Sequence, residues 1–419
     1  MLTLRARWVL PIVQPPLEQG WVAVDRGRVI RFGHERRKRP RGGAEEIDLG
    51  SAALMPGLVN AHTHLELSYL RNAVAPASRF TDWIREVIRL RREQADPSTS
   101  EVVEALVQGI EEARAAGTAV LGDISNTLAS VPPLTQSRLA AHVFFELVRF
   151  RSSEAEETWS SAMERLREVR SSPRVRVSVA PHAPYSVSTS LLQMIRREVD
   201  KRPNGRTSVH LSESEEEIEL LLQGTGGWRT LLDELHAWDP TWPAPGCTPV
   251  EYLDRLRFLG SDTIVVHGVH VTDADLARLA ARHTTLVTCP RSNRYVGAGD
   301  PPVARFYRSG VAVAVGTDSL ASAPDLNMFG ELAALRQLAP EVPAARLLES
   351  ATRVGARALG FDEYGTIAPG TPAAGLIAVS TPDDTADIEE YLVNGIPSDR
   401  IQWPVADVAA GAAALDAIP

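Results

Sequence analysis

Two histidines two residues apart, His62 and His64, close the apolar run at 56–65. On a strand, residues i and i+2 point to the same face, so both imidazoles would converge on one ion without bending the backbone. Such a pair gains weight only from its context. Further apolar runs also end in polar chemistry: His182 at 180–186, His210 and Glu213 at 209–213, His267 and His270 at 266–270, and Asp318 and Ser319 at 316–319. His62, His64, His210 and Asp318 make three nitrogens and one carboxylate oxygen. That set suits one divalent ion, Zn2+ or Fe2+, with a position left for water.

Glu213, three residues past His210, is placed to take a proton from an activated water and hand it to substrate. It also reads as the acid opening a helix N-terminus, with Glu215, Glu216 and Glu217 as a solvated first turn. His267 is the candidate for orienting the water or the developing tetrahedral centre; His270 reads as a loop residue. His182, between two prolines, reads as a substrate contact. Neither Cys247, in a Pro/Gly loop, nor Cys289, ending a buried strand, reads as a nucleophile.

The elements that must hold these residues follow from hydrophobic period. Short apolar runs at 57–61, 118–122, 142–147, 175–180, 207–211, 263–266, 285–288 and 311–315 alternate with amphipathic stretches near 81–94, 100–116, 155–170, 188–200, 249–259, 272–282 and 344–359. Eight buried strands alternating with helices predict an α/β protein, a (β/α)8 TIM-type barrel over 56–363, with its site at the C-terminal strand ends. Alternating apolar and polar residues at 1–55, and strand-like runs at 365–370 and 375–379, predict a small composite β-sandwich from both chain ends, 1–55 and 364–419.

Among 419 residues, 44% are hydrophobic, enough for a full core, and the net charge of -9 gives no support for nucleic-acid binding. A basic run, Arg36 to Arg39 with Arg41, reads as a solvated loop. Two cysteines and no signal-like or membrane-length apolar run fit a cytoplasmic protein without a membrane segment.

Taken in order, Pro-Gly-Leu-Val-Asn-Ala-His-Thr-His, Pro-His-Ala-Pro-Tyr-Ser, His-Leu-Ser-Glu, His-Gly, Cys-Pro-Arg-Ser-Asn and Gly-Thr-Asp-Ser resemble the amidohydrolase superfamily, in its one-metal deaminase and chlorohydrolase branch. The resemblance implies His62, His64, His210 and Asp318 as metal ligands, Glu213 as proton shuttle, His267 as the orienting group, and Asp318 also as acceptor of the attacking water's proton. The two-metal branch uses a strand-four lysine, and no predicted strand here contains lysine. The runs at 64–68, 80–84 and 144–146 are similar to the deaminases of aminodeoxyfutalosine in menaquinone synthesis. That similarity implies a 6-aminopurine nucleoside derivative as small-molecule substrate and allows a homodimer. It makes Trp83 a purine-stacking candidate, and Glu66, Glu146 and Ser319 substrate contacts; Trp83 also reads as a core residue, and Glu66 and Glu146 as structural acids. Adenosine, S-adenosylhomocysteine, guanine or an s-triazine chloride are the alternative substrates, and a non-catalytic binding barrel the alternative class. The residues at 372–376 and the tail at 396–404 depart from the family pattern.

Overall fold

The computed structural model describes residues 1–34, 45–94 and 96–405. The basic run at 36–41 lies outside them, as do residues 406–419. The chain opens with β1 (Leu2–Val9), β2 (Leu17–Asp25), β3 (Arg28–His34), β4 (Glu45–Asp48) and β5 (Ala52–Pro56). After Gly57 come β6 (Leu58–Thr63), β7 (Thr118–Ser125), β8 (Ala140–Leu147), β9 (Val175–Pro181), β10 (Thr207–Leu211), β11 (Thr263–His267), β12 (Thr285–Thr288) and β13 (Ala312–Val315). Each falls on an expected run, and helices lie between them. β14 (Leu376–Ser380) and β15 (Ile401–Gln402) then return to the first sheet.

Alternate residues of β6–β13 face opposite ways. Val59, Val120, Ile264 and Val287 pack together with Phe361 in one cluster. Their neighbours Leu121, Val143, Val265 and Leu286 pack outward against the helices in another. Strands buried on both faces need apolar residues at every position, which is why these segments read as unbroken runs.

The strands are parallel, but they form two four-stranded sheets, β6-β7-β8-β9 and β10-β11-β12-β13, rather than the continuous ring expected. Site residues occupy both seams. At one, the backbone N–H and ring Nδ1 of His210 both approach the His182 carbonyl, at 2.8 and 3.0 Å. At the other, the His62 carbonyl accepts from both Thr317 and Asp318. Asp318 has φ +60°, so the chain turns away there after a single bridge to Thr63 and no ladder continues.

Both ends of the chain join, as expected, in one mixed seven-stranded sheet, ordered β15-β14-β5-β1-β2-β3 with β4 beside β1. Residues 365–370 are a turn, not a strand, because Gly365 and Gly370 have φ of +77° and +95°. The unusual tail is tied down: β15 pairs with β14, and Trp403 Nε1 donates to the Arg114 carbonyl at 3.0 Å.

Asn60 joins the halves at the seam beside the site. Its Nδ2 donates to Thr317 Oγ1 at 2.7 Å, and its Oδ1 accepts from the Thr317 N–H at 3.1 Å, fully buried. Asn60→Ala removes both bonds, while the Thr317 N–H keeps the His62 carbonyl, and should cost about 1–3 kcal/mol. Urea denaturation checks this; an unchanged midpoint would show that the amide does not hold the seam.

Candidate active site

The rings of His62 and His64 meet edge to face with centroids 4.9 Å apart, and His210 lies 4.9 Å from His62 and 5.3 Å from His64. Asp318 Oδ1 is 3.4 Å from His64 Nε2 and 3.7 Å from His62 Nε2. The Nε2 atoms of His64 and His210 are 3.3 Å apart. Backbone packing makes this convergence possible: a Cβ on Gly316 would lie 2.7 Å from the His62 carbonyl oxygen, so only glycine lets the two strand ends approach.

This nest fits a cation. His62 is fully buried, yet neither of its ring nitrogens has a hydrogen-bond partner. Burial lowers the pKa of both His64 and His210 well below the ordinary value, so their imidazoles are neutral and present lone pairs. Unpaired buried acceptors are costly, and a divalent ion is what satisfies several at once. Outer contacts fix the donors. Nδ1 of His210 faces the His182 carbonyl at 3.0 Å, leaving Nε2 for the nest. Asp318 Oδ2 accepts from Ser292 Oγ at 2.5 Å and Ser322 Oγ at 3.1 Å, leaving Oδ1 toward the histidines. Burial raises the Asp318 pKa, but the neighbouring imidazoles outweigh it and hold the carboxyl well below its usual range.

Glu213 lies beside the nest, with Oε1 3.5 Å from His267 Nε2. Burial, reinforced by Asp318 and Glu217, raises its pKa well above the usual carboxyl value. His267 Nδ1 contacts Asn293 Oδ1 at 2.8 Å; as donor there, it leaves the Nε2 lone pair facing the site. Burial pushes the His267 pKa down to about 4, so the ring is neutral.

The chain is similar to known proteins. The profile of the Amidohydrolase family matches residues 53–400. The chain belongs to the amidohydrolase family. The aminodeoxyfutalosine deaminase of Deinococcus radiodurans is 31% identical over 354 residues, covering 81% of each chain. A 5-methylthioadenosine/S-adenosylhomocysteine deaminase of Desulfitobacterium hafniense is 27% identical, over 87% of this chain and 82% of its own. A zinc-bound adenosine deaminase from Xanthomonas campestris superposes with a TM-score of 0.81 at 26% identity, over 96% of this chain and 90% of that one. The two parallel half-barrels are consistent with the TIM-type barrel of such amidohydrolases.

Other expected contacts fall into different places. Glu146 is at the site: Oε1 is 3.4 Å from His210 Nδ1, and Asn126 Nδ2 donates to Oε2 at 2.9 Å. Burial raises its pKa to about 7. The His182 ring lies 4.8 Å from that of His210, tilted by 40°, with Nδ1 2.6 Å from Ser186 Oγ. Glu66 spends its oxygens on the loop after β7, accepting from Ser125, Asn126, Thr127 and Ala129. Trp83 is on the buried side of the helix Phe80–Glu93, 6.1 Å from the Phe80 ring, and Ser319 Oγ contacts Ser322. His270 is a loop residue, 3.0 Å from the Ala298 carbonyl.

Sequence reading missed Glu217. It is not in a solvated turn but fully buried, and its carboxylate accepts the backbone N–H of Ser212 at 3.0 Å and of Glu213 at 2.9 Å. Ser212 has φ +53°, so this carboxylate pins a left-handed turn that aims Glu213. Its acidity and its i+4 spacing from Glu213 were the available signal. Glu217→Ala should lower turnover about 10–100-fold through misplacement of Glu213, with metal content near that of the parent; Glu217→Gln, which keeps one acceptor, should recover part of it. Parental turnover in Glu217→Ala would remove that role.

Proposed function

We propose that this amidohydrolase is a metal-dependent hydrolytic deaminase of adenosine-like nucleosides, with 6-amino-6-deoxyfutalosine, an intermediate of menaquinone synthesis, as its substrate. The reaction class is hydrolysis of a C–N bond in a cyclic amidine. The observation that carries the reading is a buried Glu213 carboxyl, its pKa raised by burial, 3.5 Å from His267 and beside a nest of three imidazoles and an aspartate.

His62, His64, His210 and Asp318 would hold the ion. A divalent ion, zinc by analogy with the Xanthomonas relative, supplies Lewis acidity that makes water nucleophilic near neutral pH. The chain's own groups then handle the protons. His267 Nε2 orients the attacking water, and Asp318 accepts its proton. Glu213 gives its proton to a ring nitrogen of the purine, drawing electron density from the carbon under attack. Water's oxygen bonds to the carbon bearing the exocyclic amine, that C–N bond breaks, ammonia leaves with the proton Asp318 took, and the hydroxyl proton of the new C–O group returns to Glu213. Glu146 and His182, beyond His210, are placed to meet the nucleoside.

A second reading, 5-methylthioadenosine or S-adenosylhomocysteine as substrate, is supported by the Desulfitobacterium relative. Ammonia release from aminodeoxyfutalosine, 5-methylthioadenosine, S-adenosylhomocysteine, adenosine and guanine, with and without chelator, separates them. Aminodeoxyfutalosine should be the best substrate, and the chelator should abolish activity. Glu213→Gln should bind metal normally and lose about 10²–10⁴-fold in turnover. Near-parental deamination by that variant, or silence across the panel with metal bound, would refute the assignment.

A further inference from the structure

Asp318 and His267 are both held from one short helix, Pro290–Tyr295. Ser292 Oγ donates to Asp318 Oδ2 at 2.5 Å, and Asn293 Oδ1 contacts His267 Nδ1 at 2.8 Å. So short a helix does not hold its own shape in water, because nucleation costs more than its few bonds return. Its own N-cap does not secure it either, since the Cys289 side chain makes no capping bond. At its far end Tyr295 Oη donates to the Val74 carbonyl at 2.6 Å. The near end, which carries Ser292 and Asn293, must be fixed by something else.

Arg291, next to them in the chain, is tied on every side. Its backbone N–H donates to Glu331 Oε2 at 3.2 Å, so a carboxylate from the helix Met328–Leu338 caps this one from outside. Its Nε donates to Glu331 Oε1 at 2.6 Å, Nη1 to Asp325 Oδ1 at 2.9 Å, and Nη2 to the carbonyls of Asp325 and Asn327, both at 3.2 Å. Glu331 is fully buried. The guanidinium lies against the backbone of the second helix, where a Cβ on Gly330 would come within 2.6 Å of Nη1. A buried ion pair often stabilises a fold no better than apolar residues of the same volume. What this clamp supplies is position, because a planar guanidinium bonded along both edges has one orientation open to it.

We infer that Arg291, clamped by Glu331, is a positioning residue for the hydrolysis: it sets the helix Pro290–Tyr295 so that Ser292 and Asn293 hold Asp318 and His267 in register with the attacking water. This rests on the deaminase reading, in which Asp318 takes the water's proton and His267 Nε2 orients the water. Arg291 acts through two proton-handling groups and not through the nucleoside, so its loss falls on kcat rather than on KM.

The test has two readouts on zinc-loaded protein: kcat and KM for ammonia release from aminodeoxyfutalosine, and the His267 ring by 15N NMR of histidine-labelled protein, which needs no substrate. Arg291→Met should lower kcat about 10–100-fold, with KM within about threefold of the parent and metal content unchanged. Its spectrum should lose the single Nδ1-protonated form of His267 that the parent shows. Arg291→Lys, which keeps the charge without the fork, should recover part of kcat. In a Ser292→Ala/Asn293→Ala background, Arg291→Met should cost less than about threefold more, because the bonds it acts through are already gone. Gly330→Ala decides the matter if Arg291→Met does not fold: alanine favours that helix but crowds the guanidinium, so kcat should fall at least about threefold while thermal stability holds. Parental kcat in the deciding variant, a loss carried by KM alone, an unchanged His267 signal, or a full additional loss in the Ser292→Ala/Asn293→Ala background overturns the inference. A His267 signal that changes with Arg291→Met, in a protein that releases ammonia from no nucleoside, would keep the positioning role and refute the deaminase reading.

Discussion

Buried lone pairs that face one another are the constraint from which the rest of this structure follows. The imidazoles of His62, His64 and His210 are largely withdrawn from water, and the Oδ1 atom of Asp318 is aimed at two of them. Without a cation among them this is an expensive arrangement, because each buried acceptor has given up its water. The surrounding protein commits many groups to keeping it. Ser292 and Ser322 turn Asp318, the His182 carbonyl turns His210, and Asn293 turns His267.

The backbone carries the same commitment. Ser212, His267 and Asp318 all have positive φ, at +53°, +75° and +60°. For residues other than glycine such conformations cost of order 1–3 kcal/mol each, and they persist only where surrounding contacts enforce them. All three lie where a parallel strand gives way to the site. Glu217 accepts from the backbone at one of these turns, and Asn60 bonds Thr317 beside another.

Much of this was legible in the chain because the strands are short and apolar on both faces. All eight runs are strands, and the polar residues that end them converge. Secondary structure failed where contrast was missing. The helix Met328–Leu338 buries Met328, Phe329, Leu332, Ala334 and Leu335 on most of its circumference, so no amphipathic period marked it. The acidic stretch at 213–217 misled in the opposite sense, since charge suggested solvent for Glu217 while the backbone N–H groups of Ser212 and Glu213 required its carboxylate inside. Ring closure is a long-range property that hydrophobic period does not encode. Glu66 shows the same limit at one residue: the type fits substrate binding, but the loop at 125–129 takes its oxygens.

His210 faces two ways, toward His64 through Nε2 and toward Glu146 through Nδ1, and its surroundings offer three overlapping cradles, His62–His64–Asp318, His62–His210–His267 and Glu146–His182–His210. The central claim is that the first of these, with His210 Nε2, is where the ion resides and therefore where water is activated. Anomalous diffraction at the zinc edge from zinc-loaded crystals tests it directly. The account predicts one peak per chain, enclosed by Nε2 of His62, His64 and His210 and Oδ1 of Asp318. A peak between Glu146 and His182, or two peaks of comparable height, would contradict it.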